Sequence, residues 1–168
     1  MTTFDLVIRN GDVIDGTGAP RVRADVAVTG ERIAAVVAHG AAGAPAAALR
    51  GRREIDAAGR VVAPGFIDVH THDDTALIAD PSMAMKASQG VTTVVCGNCG
   101  VSAAPLLTPS LPPLLGMLVK SPDHVARDFA AFAAKVEAAA PALNGAFLIG
   151  HSTLRLSVMG DSLDRPAS

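Results

Sequence analysis

Hydrophobic residues in the second part of the chain fall into runs that end in polar side chains able to bind a metal. The first run begins at Val61 and is largely apolar as far as Asp68, after which His70 and His72 follow at alternate positions. Successive side chains of a strand point to opposite faces. The pattern therefore predicts a strand over Val61–His72 with Asp68, His70 and His72 on one face.

Two more runs predict further strands. Val91–Cys96 consists almost entirely of apolar or β-branched residues, which is typical of a parallel strand buried on both faces, and Ala146–His151 is the third run. Helices are predicted between the strands over Ser82–Ser88 and, from the spacing of apolar residues, over Pro122–Ala140. The proline-rich stretch Leu106–Val119 predicts a loop. Strands that alternate with helices predict an α/β fold with a parallel sheet and right-handed crossovers.

The first sixty residues differ from the rest, because short apolar runs are separated by turns that contain glycine. They predict a small antiparallel β unit with strands over Phe4–Asn10, Asp12–Ile14, Asp25–Val28 and Arg32–Val37. The alanine- and glycine-rich residues 39–53 predict a surface loop, with three arginines forming a solvated tip. The chain is thus predicted to contain two parts, residues 1–60 and 61–168.

The ends of the first two runs carry the candidate metal ligands. His70 and His72 can converge on one metal ion, and Asp68 can orient a ring or join the site. A thiolate from the Cys96-x-x-Cys99 pair suits zinc or a similar cation. Two other interpretations of this pair are possible. A redox pair would need a helix to start after the first cysteine, which the adjacent glycines disfavour. Half of a four-cysteine zinc site would need a second such pair, and none occurs in the sequence. Cys99 lies beyond the strand and is the candidate ligand, whereas Cys96 is predicted to be an inert buried thiol.

Three further residues are candidates for a role beside the metal or the substrate. Asp73 and Asp74 follow the histidines directly and either orient the ligands or serve as helix N-terminal or solvated charges. His151 ends the third predicted strand and either binds metal or substrate or is a hydrogen-bonded structural histidine.

Composition excludes some partners. A net charge of −2 and the absence of Trp and Tyr argue against a nucleic-acid surface. No apolar run approaches the roughly 18 residues of a membrane span, and the N-terminus is predicted to lead directly into a strand without a signal peptide. Two cysteines three positions apart do not form a disulfide framework, so a cytoplasmic location is predicted.

Several of these motifs resemble a known family. Pro64–Asp74 resembles the first-strand signature of the amidohydrolase superfamily of metal-dependent hydrolases, and Gln89–Pro105 resembles its D-aminoacylase, or N-acyl-D-amino-acid deacylase, branch. Leu6–Gly18, Ile55–Arg60 and Gly150–Arg155 are similar to other parts of that branch. The resemblance implies a β-sandwich portion followed by a (β/α)8 barrel. A closed barrel needs about 250 residues, and only 108 follow residue 60, so the chain is predicted to be the first third of an enzyme.

The resemblance also implies an activity. The full-length relative would hydrolyse the amide bond of small-molecule N-acyl-D-amino acids to a carboxylate and a D-amino acid, using zinc or another divalent metal held by His70, His72 and Cys99. The metal would polarise the carbonyl and activate water. The general acid/base aspartate is expected beyond Ser168, so the 168-residue chain alone is predicted to be inactive.

Two alternatives stay open. The first is a cyclic amidase of the dihydroorotase or hydantoinase type, but those enzymes typically use a bridging lysine, and no lysine occurs between His72 and Lys86. The second is a non-catalytic metal-binding fragment, which an activity assay would distinguish from an enzyme. The sequence leaves the oligomeric state, the metal and the substrate side chain open.

Overall fold

The computed structural model describes residues 3–40, 49–107, 116, 119, 121–160 and 164–166. The chain divides into two compact units, Met1–Pro64 and Gly65–Ser168. Most of the predicted loop Leu106–Val119 and residues 41–48 of the predicted surface loop lie outside the described residues. Within the described residues, no helix has both the length and the apolar character needed to cross a bilayer.

The first unit is a mixed β-sheet. Its strands are β1 (Thr3–Val13), β2 (Val22–Thr29), β3 (Arg32–Ala38), β4 (Arg50–Asp56) and β5 (Val61–Val62). The order is β3-β2-β1-β4, with β5 also pairing with β1. The pairs β1–β2 and β2–β3 are antiparallel as predicted, whereas β4 and β5 run parallel to β1.

Three boundaries in this unit differ from the prediction. The two strands predicted over residues 4–14 form the single strand β1, because an irregularity between Ile8 and Gly11, with Asn10 at a φ of 60°, lets pairing continue past the Asn-Gly turn signal. Arg50–Arg53 belong to β4 and not to a loop. This strand is mostly exposed and is held by backbone pairing with β1, so it lacks the apolar pattern that would reveal it. Val61 and Val62 pair with β1, so the prediction of one strand over Val61–His72 is wrong.

A buried ionic network joins strands of the first unit. The side chain of Asp25 is 3% exposed and accepts from Arg9 Nη1 at 2.9 Å, the Asn10 amide at 2.8 Å and His39 Nε2 at 2.8 Å. Arg9 also contacts Glu54 and the Leu49 carbonyl. Burial opposes ionisation of Asp25, but these hydrogen bonds outweigh it and hold the pKa of Asp25 below its usual value.

The second unit is a parallel sheet with helices between its strands, as predicted. Its strands are β6 (Phe66–Asp68), β7 (Val91–Cys96) and β8 (Asn144–Phe147), in the order β6-β7-β8. The helices are α1 (Ala76–Ala79), α2 (Ala84–Ala87), α3 (Phe129–Ala139) and α4 (His151–Met159). Buried side chains from α1, β7 and α3 form the main core, including Leu77, Val94, Cys96, Phe132 and Val136.

The ends of several elements in this unit were predicted wrongly. The helix predicted from Pro122 begins at Phe129, because Asp128 accepts a hydrogen bond from the Ala131 amide and caps it there. Pro122–His124 is a separate 3-10 turn. The predicted helix Ser82–Ser88 shortens to α2, and α1 was missed. The predicted strand Ala146–His151 lies earlier, at Asn144–Phe147, because Asn144 and Gly145 already pair with β7.

Removal of the Asp25 carboxylate tests the buried network. We expect Asp25→Ala to lower the free energy of unfolding by about 3 kcal/mol, the lower end of the range for breaking a buried ion pair, since Arg9 keeps Glu54 as a partner. Because the pKa of Asp25 is lowered by folding, its contribution is complete above about pH 4 and is lost as the pH falls through the folded-state pKa. Urea unfolding at several pH values measures both effects.

Asp12→Ala is the matched control, because it removes only an exposed ion pair with Arg21 at 3.8 Å. Equal losses in the two variants, or a loss for Asp25→Ala that stays constant between pH 7 and about pH 3, would contradict this account of Asp25.

Candidate metal centre

The two histidines lie in a loop that follows β6. The strand ends at Asp68, so the histidine loop, residues 69–73, continues past it without strand pairing of its own. A backbone hydrogen bond from the Thr71 amide to the Val95 carbonyl at 3.2 Å helps to hold the loop against β7. The prediction that His70 and His72 lie on a strand is therefore wrong, although both follow its carboxyl end.

A tight turn after β7 presents Cys99. Residues Asn98–Gly100 form a 3-10 turn in which Cys99 itself has a φ of 54°. Gly97 before it has a φ of 80°, and a Cβ there would lie 2.0 Å from the Leu148 carbonyl oxygen, so only glycine fits. The Asn98 side chain donates to the Val95 carbonyl at 2.6 Å and ties the turn to β7.

The loop and the turn bring His70, His72 and Cys99 together. One ligand atom from each residue lies within 4.8 Å of the others, and His70 Nε2 is 2.9 Å from Cys99 Sγ. His72 Nδ1 is buried and has no hydrogen-bond partner among the described residues. An orphaned buried nitrogen is costly unless something binds it. Two imidazoles and a thiolate form a donor set that fits zinc.

Asp68 and Asp73 lie beside this cluster but are not part of it. Their carboxylates each contact Lys86 Nζ at 2.5 Å, and Thr71 Oγ1 donates to Asp73 at 2.7 Å. The hydrogen bond from Lys86, together with one from the His70 amide, lowers the pKa of Asp68. Sequence reasoning gave Lys86 no role in the site, since its only signal is a single basic residue on a short predicted helix.

Asp74 occupies a different environment from Asp73. It is 7% exposed and accepts a hydrogen bond from the Ala103 amide at 3.2 Å. Burial raises the pKa of this carboxyl despite that hydrogen bond. Asp74 and His72 line a small cleft together with Thr75, Val101, Ser102, Ala103 and Val119.

His151 is the first residue of α4 and is exposed, so its predicted position at a strand end is wrong. The structure does not place it in the cluster of His70, His72 and Cys99. The start of α4 nevertheless packs against the cysteine turn, because a Cβ on Gly150 would lie 2.4 Å from the Gly100 carbonyl oxygen.

A sequence profile described as the amidohydrolase family matches residues 53–167 of the chain. The chain belongs to the amidohydrolase family. This confirms the family that the motifs indicate.

The relatives of this amidohydrolase chain include characterised deacylases. It is 47% identical over 166 residues to an N-acyl-D-glutamate deacylase of Alcaligenes xylosoxydans xylosoxydans, a match that covers 98% of the chain and 32% of that protein. A D-aminoacylase crystal structure shares 48% identity at a TM-score of 0.86, over 98% of the chain and 33% of the other. The crystal structure of the Bordetella bronchiseptica N-acyl-D-glutamate deacylase, complexed with zinc and a phosphonate inhibitor, shares 45% sequence identity at a TM-score of 0.87. This match covers 99% of the present chain and 34% of the deacylase chain. The chain thus spans about a third of the length of these relatives.

The two cysteines of this amidohydrolase chain have different environments. Cys96 is fully buried within the main core of the second unit. Burial, reinforced by the negative charges of Asp74 and Asp73, raises the pKa of the Cys96 thiol to about 12. Cys99 is exposed and lies next to His70. A thiol must lose its proton to bind a metal, so these environments favour Cys99 as the ligand.

Alanine substitution of each cysteine in the full protein that carries this chain separates the two roles. We expect Cys99→Ala to weaken metal affinity by at least about tenfold, because the site loses a ligand. Cys96→Ala should keep the metal and cost about 1–2 kcal/mol of stability as an ordinary core truncation. Bound metal and thermal unfolding are measured side by side. Loss of metal from Cys96→Ala, or equal losses in both variants, would show that the ligand is wrongly assigned.

Proposed function

We propose that the protein carrying this chain hydrolyses the amide bond of N-acyl-D-amino acids and releases a carboxylate and a D-amino acid. The observation that carries the proposal is the convergence of His70, His72 and Cys99 within 4.8 Å in a chain that is similar to two such deacylases over nearly its whole length. The buried Nδ1 of His72, which has no partner among the described residues, supports the proposal because a bound ion would satisfy this histidine.

The fold supports a specific place for the reaction. We assign the first unit to a β-sandwich portion and the second to about the first three βα units of a (β/α)8 barrel. In such barrels the reacting groups lie in the loops at the carboxyl ends of the strands. The histidine loop follows the carboxyl end of β6, and the cysteine turn follows that of β7.

Zinc, or another divalent cation of similar preference, is the proposed cofactor. His70, His72 and Cys99 would hold it, and a relative of this chain has been crystallised with zinc. When bound, such a metal supplies Lewis-acid chemistry that polarises the amide carbonyl and makes water a better nucleophile at neutral pH. A cytoplasmic location is proposed because the two cysteines of this chain are free thiols and one of them is a proposed ligand.

Other side chains of the chain shape the site and do not transfer protons in this proposal. Asp74 accepts from the Ala103 amide and so fixes residues 101–104 as one wall of the cleft beside His72. Ser102 adds to this wall, because its hydroxyl accepts from the Gly150 amide at 3.0 Å and its amide donates to Thr153 at 2.9 Å. The proton to the leaving nitrogen is assigned to a residue outside the present chain.

The arrangement around Lys86 favours a deacylase over a cyclic amidase that uses a bridging lysine. The Lys86 ammonium contacts two carboxylates and Thr71, so these ion pairs and this hydrogen bond engage it. Cys99 occupies the third position in the cluster with His70 and His72, so a thiolate is the proposed third ligand.

The activity is tested with the full protein that carries this chain, loaded with zinc. We expect turnover of N-acetyl-D-methionine or N-acetyl-D-glutamate, no turnover of the L-enantiomers, and loss of activity when the metal is removed by a chelator. Release of the free amino acid is the measurement. Cleavage of a hydantoin or dihydropyrimidine ring, with no action on any N-acyl-D-amino acid, would contradict the proposal. The 168-residue chain alone should show no turnover.

A further inference from the structure

Lys86 projects from α2 towards the histidine loop and contacts three of its neighbours at once. Its Nζ lies 2.5 Å from Asp68 Oδ2, 2.5 Å from Asp73 Oδ2 and 2.9 Å from Thr71 Oγ1. An ammonium group has three hydrogens, so one donor is available for each acceptor. We call this set of contacts the Lys86 bridge. The side chain of Lys86 is only 22% exposed, which reduces screening by solvent.

The contacts of the Lys86 bridge alternate with the two histidines along the chain. Asp68 precedes His70, Thr71 lies between the histidines, and Asp73 follows His72. Two further hydrogen bonds close the arrangement, since Asp68 Oδ1 accepts from the His70 amide at 3.3 Å and Thr71 Oγ1 donates to Asp73 at 2.7 Å. The histidine loop is thus held before, between and after its two imidazoles.

The backbone of the loop is held to β7 by the Thr71 amide, which donates to the Val95 carbonyl, and by the Asp73 amide, which donates to Cys96. Val69 and His70, at the start of the loop, are exposed. Two carboxylates also approach the same point from opposite ends of the loop. Without a cation between them they would repel each other, and the loop would open. The ammonium therefore sets both the charge balance and the position of the loop.

We infer that Lys86 is a positioning residue for the metal centre. It holds the histidine loop in the conformation that lets both imidazoles reach the ion. The inference rests on the proposed metal centre of His70, His72 and Cys99. Residues that hydrogen-bond to metal ligands and orient them matter for metal binding, and their loss typically costs about 10–100-fold in metal affinity.

The variant Lys86→Met in the full protein tests this inference, because methionine keeps a long side chain and removes the charge and the donors. We expect it to weaken Co²⁺ affinity by about tenfold or more. We also expect a changed visible absorption spectrum of the bound Co²⁺, since the spectrum reports ligand geometry and not activity. Adding Asp73→Asn should restore part of the affinity, because it removes one of the two repelling charges.

Lys135→Met is the matched control. Lys135 Nζ donates to the carbonyls of Asp123 and Val125 at 2.5 and 3.0 Å and does not contact the histidine loop. This variant should lose stability without any change in Co²⁺ affinity or spectrum. If Lys86→Met does not fold, Thr71→Val removes one contact of the Lys86 bridge with little change of shape, and weaker Co²⁺ binding is again expected.

The outcomes separate this inference from the proposed function. If the unmodified protein binds Co²⁺ but Lys86→Met has the same affinity and spectrum, the positioning role is wrong and the metal centre stands. If the unmodified protein binds no Co²⁺ and shows no thiolate absorption, the metal centre itself is wrong, and the role of Lys86 falls with it.

Discussion

Parallel pairing of β6 with β7 is the constraint on which the proposed metal centre depends. It brings the carboxyl ends of the two strands to the same edge of the sheet, so the loop after one strand and the turn after the other meet there. The turn must then be tight enough for Cys99 to reach His70, and the glycine at position 97 allows its backbone to approach the Leu148 carbonyl. Leu148 directly follows β8, so the segment after the third strand shapes the site without contributing a ligand.

Environment, more than residue type, separates the roles of similar side chains in this part of the chain. Cys96 and Cys99 are three positions apart, yet one is buried with a raised pKa and the other is exposed beside an imidazole. Asp73 and Asp74 are adjacent, yet the first shares the Lys86 ammonium and the second is buried against the Ala103 amide. Neighbouring residues of the same type therefore have different roles: Cys99 is a candidate ligand and Cys96 a core residue, while Asp73 pairs with Lys86 and Asp74 accepts from a backbone amide.

The sequence was sufficient to predict the parallel sheet and the three residues of the cluster, because the apolar runs and the polar residues that follow them are local signals. The sequence was insufficient to predict the ends of those strands and helices that depend on pairing with residues far away in the chain. β4 is mostly exposed and exists through pairing with β1, and Val61 belongs to the first sheet for the same reason. Lys86 was missed because its carboxylate partners lie 13 and 18 positions away, and His151 was misplaced because α4 begins directly after an extended Gly150.

X-ray absorption at the zinc edge, on the zinc-loaded full protein, tests the central claim most directly, since it reports the atoms bound to the ion. The account predicts a sulfur neighbour at about 2.3 Å and imidazole nitrogens at about 2.0–2.1 Å, with the sulfur absent in Cys99→Ser. A spectrum that contains only nitrogen and oxygen neighbours in the unmodified protein would contradict the metal centre formed by His70, His72 and Cys99.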